Sequence, residues 1–299
     1  MDARASDGLA ATEATADRFL DTTRASSLSR WDTLLRFQTE LFFPQEVACL
    51  CGSPAWLQAR SVLDVGCGNG DYLARLKRFF PDKSYAGIDR SPELVSLAKA
   101  RHDQLDIVQA DFFDYRPAVR FDLLLMRFIV QHLTNLEAIL TSASGHLQEM
   151  GSIVVVEPDY SISGNTPRTP LFEEMLETYA GHAAGNGRLK GQLDDIPGLI
   201  TQVGDWSVVR NTRVIAPTLG PIRGSEAFHI YNGWIDLCEQ AEMFAFPFEQ
   251  ARLEIANWAQ SPLSISRIGL QIIEVTYGAG RRRRPAAMVS VDATDEDVG

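Results

Sequence analysis

The chain changes rhythm twice. From Asp17 to Leu57 apolar residues recur near a helical period, with Leu34, Leu35, Phe37, Leu41 and Phe42 along one stripe, and Pro44 and Pro54 mark breaks. From Ser61 onward, short apolar runs alternate with amphipathic stretches. SVLDVG (61–66), SYAGID (84–89), LDIVQAD (105–111), FDLLLMRF (121–128) and GSIVVVEPD (151–159) read as strands. DYLARLKRFF (71–80), SPELVSLAKARH (91–102) and NLEAILTSASGHL (135–147) read as helices. The second of these starts with Ser91 as N-cap, Pro92 in the first helical position and Glu93 in the first turn. Strands alternating with helices predict right-handed crossovers and an α/β fold around a mostly parallel sheet. The run IVVV is apolar at every position, as a strand covered on both faces must be.

After Asp159 the regularity fades. Residues 161–200 read as a loop and one or two helices, among them PLFEEMLETYAGHA (170–183). DWSVVRNTRVIAP (205–217) alternates like a strand, residues 223–260 are helical, and SRIGLQIIEVTYGAG (266–280) reads as a closing strand. The expected organisation is a tail over 1–16, a helical cap over 17–57, a ligand-binding core over 58–160, the rest of the sheet with helical insertions over 161–280, and a second tail over 281–299. Both tails are expected to be disordered.

Composition narrows the function classes. The 299 residues are 45% hydrophobic and 22% charged, as in an ordinary soluble protein. A formal charge of -11 repels phosphate backbones, so no nucleic-acid partner is expected. The basic run Arg281–Arg284 is followed by Asp292, Asp295, Glu296 and Asp297, and reads as a solvated segment. The longest apolar stretch, FDLLLMRFIV, is interrupted by Arg127 and too short to span a bilayer, and the N-terminus lacks the apolar core of a signal peptide. A cytoplasmic protein without membrane partners is expected. Cys49, Cys51, Cys67 and Cys238 complete no metal-ligand set and read as reduced thiols, so no metal is expected.

The chemistry concentrates in SVLDVGCGNG, Ser61 to Gly70, where an apolar run ends in an aspartate and glycines follow at alternate positions. A strand-to-helix turn at the carboxyl edge of a parallel sheet is where ligands bind, and glycine lets them approach the backbone. The dinucleotide pattern would need glycine where Asp71 stands, and no Gly-Lys-Ser/Thr follows for a P-loop. A carboxylate at the helix start opposes a pyrophosphate, so the ligand brings no phosphate to this turn. Asp64 can receive a cationic amine. Asp89 ends the second strand near the spacing of about 20 residues at which an acidic side chain meets a ribose diol. Asp111 can accept from an adenine amino group while Phe112 and its neighbours pack on the ring. Together these describe a nucleoside that carries an amino acid. Taken singly, Asp64 also suits a turn and Asp111 a helix cap.

The ordered set LDVGCGNG (63–70), GIDRS (87–91), QADFFDY (109–115), FDLLLMRFIVQHL (121–133) and GSIVVVEPD (151–159) resembles the class I S-adenosylmethionine-dependent methyltransferases of small-molecule type, over about residues 60 to 160. The resemblance implies a Rossmann-like, seven-stranded, mostly parallel sheet with a reversed last strand, helices on both faces, and N-terminal helices and a helical lid. It implies that Asp64, Gly66, Gly68 and Gly70 line the methionine end of S-adenosylmethionine, with Cys67 a small residue in the loop. Asp89, beside Arg90, takes the ribose hydroxyls; Asp111 and Phe112 flank the adenine, with Phe113 a further candidate there that also suits the core; Arg127 lies beside the cofactor chiefly through its main chain. The product would be S-adenosylhomocysteine.

In that reaction class the protein holds a nucleophile in line with the methyl group and excludes water, and orientation is worth roughly 7 to 11 kcal/mol. A base is needed where the nucleophile arrives protonated. His132, Asp159 and Tyr160 follow strands at the ligand edge and are the candidates; His182 and His229 read as exposed or packed. Trp31, Phe37, Phe42, Phe43, Tyr179, Phe228, Tyr231, Trp234 and Phe244 can roof an apolar pocket, which favours O- or N-methylation of a small molecule, as in specialised metabolism. C- or S-methylation, a protein or RNA acceptor, and cofactor binding without transfer are the alternatives. The motif expected for methylating amino groups of bases or glutamine is absent, since the fourth strand gives MRFI. A monomer or homodimer is expected.

Overall fold

The computed structural model describes residues 25–189, 193, 195–240, 242 and 244–278. The tails expected over 1–16 and 281–299, and the run Arg281–Arg284, lie outside them. A long helix, α1 (Ala25–Cys51), and a short one, α2 (Pro54–Gln58), precede a regular alternation. It runs β1 (Ser61–Val65), α3 (Asp71–Phe79), β2 (Ser84–Asp89), α4 (Pro92–Arg101), β3 (Asp106–Gln109), β4 (Phe121–Arg127), a 3₁₀ turn (Val130–His132), α5 (Leu136–His146) and β5 (Leu147–Thr166). Then follow α6 (Pro170–Gly185), α7 (Ile196–Ile200), β6 (Trp206–Leu219), α8 (Gly220–Gln240), α9 (Phe248–Gln260) and β7 (Ile265–Tyr277).

The seven strands form one sheet in the order β3-β2-β1-β4-β5-β7-β6. The first five are parallel, and β7 runs antiparallel to both β5 and β6. The mostly parallel sheet and its reversed last strand are as expected.

Period-two alternation divides the strand residues between two cores. Leu63, Val65, Leu124, Met126, Ile153 and Val155 point to one face, where Ile139 and Leu140 of α5 cover them. Val62, Leu123, Leu125, Val154 and Val156 point to the other, under Val47 and Leu50 of α1, Trp56 of α2 and Leu73 and Leu76 of α3. Both faces are buried, which is why these strands read as unbroken apolar runs. A third core joins Leu34, Leu41 and Phe42 of α1 to Phe172 and Tyr179 of α6, Ile230 and Trp234 of α8 and Trp258 of α9. It lies over the carboxyl rim and makes the roof of the site.

Two expectations are corrected. Pro44 lies inside α1, which continues unbroken to Cys51. The buried residues Leu41, Phe42 and Phe43 before it and Val47 and Leu50 after it clamp the helix on both sides, so packing outweighs the lost backbone bond. Residues 161–166 belong to β5 rather than to a loop: Gly164, Asn165 and Thr166 pair with Arg267, Ser266 and Ile265 after a bulge. The bulge hides the alternation from the sequence, because it breaks the two-residue period.

At that bulge a Cβ on Gly269 would stand 2.4 Å from the Asp159 carbonyl oxygen, whereas one on Gly181 in α6 would meet nothing within 4 Å. Thermal melts of Gly269→Ala are expected to show a loss of about 1–3 kcal/mol. Gly181→Ala is expected to hold or gain about 0.5–1 kcal/mol, as alanine does for glycine in a helix.

Candidate active site

The carboxyl rim opens into a cavity of about 270 Å³ whose lining includes Asp64, Gly66, Cys67, Gly68, Asp89, Arg90, Asp111, Phe112, Phe113, Arg127 and His132. The structure therefore brings together most of the residues singled out from sequence. Gly70 caps α3 just behind them with a left-handed backbone.

The glycine loop is bare for two reasons. Gly66 and Gly68 have φ of +73° and +55°, and side chains crowd them: a Cβ would stand 2.2 Å from Cδ1 of Ile129 at the first and 2.8 Å from Cδ1 of Leu35 at the second. Leu35 belongs to α1, so that helix closes directly onto the loop. Asn69, buried, donates to Asp32 Oδ1 of α1 at 2.8 Å, and Arg101 at the end of α4 holds the same carboxylate. At the start of α3, Asp71 accepts from the Asn69 side chain at 3.2 Å and lies 2.7 Å from His102 Nε2. That carboxylate stands where a pyrophosphate would have to sit.

Three carboxylates mark the rim. Asp64, at the end of β1, is 2% exposed, and burial pushes its pKa up to about 7 against the opposing pull of Arg127. Asp89 accepts from Gly68 N at 2.8 Å and Ser91 N at 2.9 Å. Burial raises its pKa while those bonds hold it down. Asp111 turns the chain with a bond from Phe113 N at 2.8 Å. Phe112 stacks on His146 with ring centroids 5.1 Å apart, and Phe113 stays 39% exposed at the cavity.

Arg127 contributes a side chain as well as a main chain. Its Nε donates to Glu46 of α1 at 2.9 Å, its Nη2 to the Gln38 carbonyl at 3.2 Å, and its guanidinium lies over the rings of Tyr72 and Phe128. Phe128 follows with φ of +56°, a strained conformation for a bulky residue. Glu157, at the far end of the β5 core and fully buried, accepts from Val130 N at 2.7 Å and Gln131 N at 3.3 Å, and so fixes the 3₁₀ turn that presents His132.

A second chamber of about 490 Å³ adjoins the first, and Gln38, Phe128, Gln131 and Trp234 line both. Its remaining wall comes from β5, α6, α8 and β7, including Tyr160, Phe172, Tyr231, Arg267 and Leu270. Tyr160 thus lies in the second chamber, where burial and Glu157 push its phenol well above the ordinary value. Asp159 lines neither cavity. It is buried, accepts from Ser161 N at 3.0 Å and pairs with Arg213 Nε at 3.1 Å. His229 stacks on Phe37 with centroids 4.2 Å apart, and the His182 ring centroid lies 6.3 Å from that of Phe244.

Glu157, Glu46, Gln38, Gln131 and Asp32 escaped the reading of the sequence. EPD after IVVV carried a local signal for Glu157, since a polar residue that ends a buried apolar run at the ligand edge faces the site. The others act through partners 26 to 89 positions away, for which no local pattern exists.

Comparison with known proteins finds likeness over part of the chain. Residues 58–196 match the family model described as "Methyltransferase domain". Over that stretch the chain is similar to methyltransferases. The trans-aconitate 2-methyltransferase of Klebsiella pneumoniae (strain 342) is 27% identical over 132 residues, or 44% of this chain and 52% of that protein. The protein of the same name from Acidovorax ebreus (strain TPSY) is 30% identical over 153 residues, or 50% and 57%. The chain spans about half the length of the curated relatives it matches. Among solved structures, "Phospholethanolamine N-methyltransferase 2" of Haemonchus contortus, in complex with phosphomonomethylethanolamine and S-adenosylhomocysteine, superposes with a TM-score of 0.51. It is 14% identical, over 87% of this chain and 59% of that one, a likeness of fold. The matched stretch ends before β6, α8, α9 and β7, so Tyr231, Trp234, Arg267 and Leu270 of the second chamber lie outside it.

Asp64 gives the domain a pH signature. Its folded pKa, about 7, lies above the ordinary 3.8, so the folded state keeps a proton that the unfolded chain releases. Stability is therefore full below pH 4 on this account and falls as pH rises from about 4 to 7. Melting temperatures across pH 5–8 are expected to fall in the parent and to flatten in Asp64→Asn.

Proposed function

We propose that this protein is an S-adenosylmethionine-dependent methyltransferase acting on a small molecule held in the second chamber. The observation that carries the reading is the pair of cavities with a shared wall, one rimmed by acidic side chains and the other walled by aromatic ones. A cofactor with a cationic amino-acid end suits Asp64: no described side chain donates a hydrogen bond to its buried carboxylate, and a positive charge there would draw it into the ionised form. Asp89 sits at the level of the glycine loop for a ribose diol, and Asp111, Phe112 and Phe113 form the end suited to a purine. Asp71 disfavours any phosphate-bearing rival.

The cofactor supplies an electrophilic methyl group on a sulfonium. The chain supplies position and dryness. α1, clasped through Asp32, covers the loop, and Trp234 of α8 closes the junction with Gln38, Phe128 and Gln131. His132, half-buried on the cofactor cavity, takes a proton where the acceptor is a hydroxyl or ammonium. Tyr160, whose phenol stays protonated at neutral pH, orients the acceptor from the chamber side. O- or N-methylation fits this arrangement, and trans-aconitate, for which the matched relatives are named, belongs in a first panel of acceptors.

Calorimetry with S-adenosylmethionine tests the first half of the reading and labelled-methyl transfer to a metabolite panel the second. Asp89→Ala is expected to weaken cofactor binding at least about tenfold, the effect of losing a charged hydrogen-bond acceptor; unchanged affinity contradicts the ribose assignment. His132→Gln is expected to lower kcat about 10²-fold while cofactor affinity stays within a few-fold. A variant with full kcat removes His132 as the base. Binding without transfer to any acceptor would instead favour a cofactor-binding protein of other chemistry.

A further inference from the structure

The second chamber is apolar over most of its surface, and its buried polar floor is already satisfied. The Tyr231 hydroxyl donates to Asn165 Oδ1 at 3.0 Å and contacts Ser266 Oγ, and Asn165 Nδ2 donates to Thr169 Oγ1 at 2.9 Å. Two guanidinium groups line the chamber, Arg168 and Arg267. Arg168 is paired with Glu173. Arg267 has no ion pair among the described residues, although it lines a cavity with aromatic walls. Its Nη2 lies against β5, where a Cβ on Gly164 would stand 3.3 Å away; the bare backbone at Gly164 gives the guanidinium its room.

Strand register places the backbone of Arg267 far from the mouth shared with the cofactor cavity. Gln271 of β7 pairs with Glu157, whose carboxylate holds the turn bearing Gln131, and Arg267 lies four residues away on the same strand. At the rise of a strand that is roughly 13 Å. Glu173 and Glu177 line the same chamber, so a dianion such as a phosphate monoester would meet like charge there, whereas a planar monoanion matches one guanidinium fork.

We propose that the methyl acceptor carries a carboxylate that Arg267 binds as a handle, with its methyl-receiving group at the opposite, cofactor-facing end. This rests on the chamber being the acceptor site. The test titrates the protein, saturated with S-adenosylhomocysteine, with cinnamate, 3-phenylpropionate and trans-aconitate and with their matched amides. At least one acid is expected to bind tenfold or more tighter than its amide. Arg267→Gln should bring that acid to the affinity of its amide, Arg267→Lys should fall between, and Gly164→Ala should weaken the acid several-fold, all with S-adenosylhomocysteine affinity unchanged.

Equal affinity of every acid and amide, no binding of any acid, or an acid preference that survives Arg267→Gln overturns the proposal, as does tighter binding of phenyl phosphate than of the acids. Cinnamate, which has one carboxylate and no second nucleophile, should receive no labelled methyl; a base-labile labelled ester overturns the remote handle. Failure of S-adenosylhomocysteine to bind sinks the proposed function itself, whereas binding without acid preference sinks only the handle.

Discussion

The buried pair between Arg127 and Glu46 is the joint on which both cavities depend. It ties the end of the central strand β4 to the C-terminal part of α1, with side chains 7% and 1% exposed. The same guanidinium holds the Gln38 carbonyl and lies between the rings of Tyr72 and Phe128. Gln38 and Phe128 are two of the residues that wall off one chamber from the other. Removing one partner of such a pair leaves an uncompensated buried charge at a cost of about 3–5 kcal/mol, a large share of any domain's stability. The charge of Arg127 also reaches Asp64, where it opposes burial and keeps that carboxylate near its ionisation point at neutral pH.

That balance explains why the rim can be acidic without being loosened by self-repulsion. Asp89 and Asp111 spend one oxygen or both on backbone N–H groups, of the residue two positions on and, for Asp89, of Gly68 in the glycine loop. Asp71 is shared among Asn69 and His102, and Asp32 between Asn69 and Arg101. Asp64 alone among these carries its desolvation with no hydrogen bond from a described side chain, and it lines the cavity. A buried carboxylate held in this state is a recurrent mark of a functional site, because a folded chain gains nothing in stability from it.

The core was legible in the sequence where structure follows from local rules. The five parallel strands and Ser91 as N-cap of α4 follow from period, burial on both faces and capping chemistry, and they put the glycine loop and three carboxylates at one edge. The reach of β5 to Thr166 was hidden by the bulge after Asp159, and the continuity of α1 through Pro44 by tertiary packing that outweighs a local breaker. Asp159 and Tyr160 are neighbours in sequence and both follow the same buried run, yet the bulge turns one to Arg213 and the other into the second chamber. No period distinguishes two such residues in advance.

This difference in legibility has a physical source. The cofactor-side cavity is made by turns between consecutive elements, so its residues come in short ordered motifs that a family model can match. The second chamber is made where α1, the β5 extension, α6, α8 and β7 meet, and its residues range from Gln38 to Leu270. Each wall there answers mainly to packing, and a change in one apolar side chain reshapes the space without disturbing the sheet, since volume-conserving exchanges in such cores cost little. The glycine loop and its carboxylates have no comparable freedom: φ, clearance and charge are all fixed by neighbours. For the methyltransferase proposed above, this build keeps the cofactor half constant and leaves the acceptor half free to take a different molecule, chosen by groups such as Arg267 and the room Gly164 gives it.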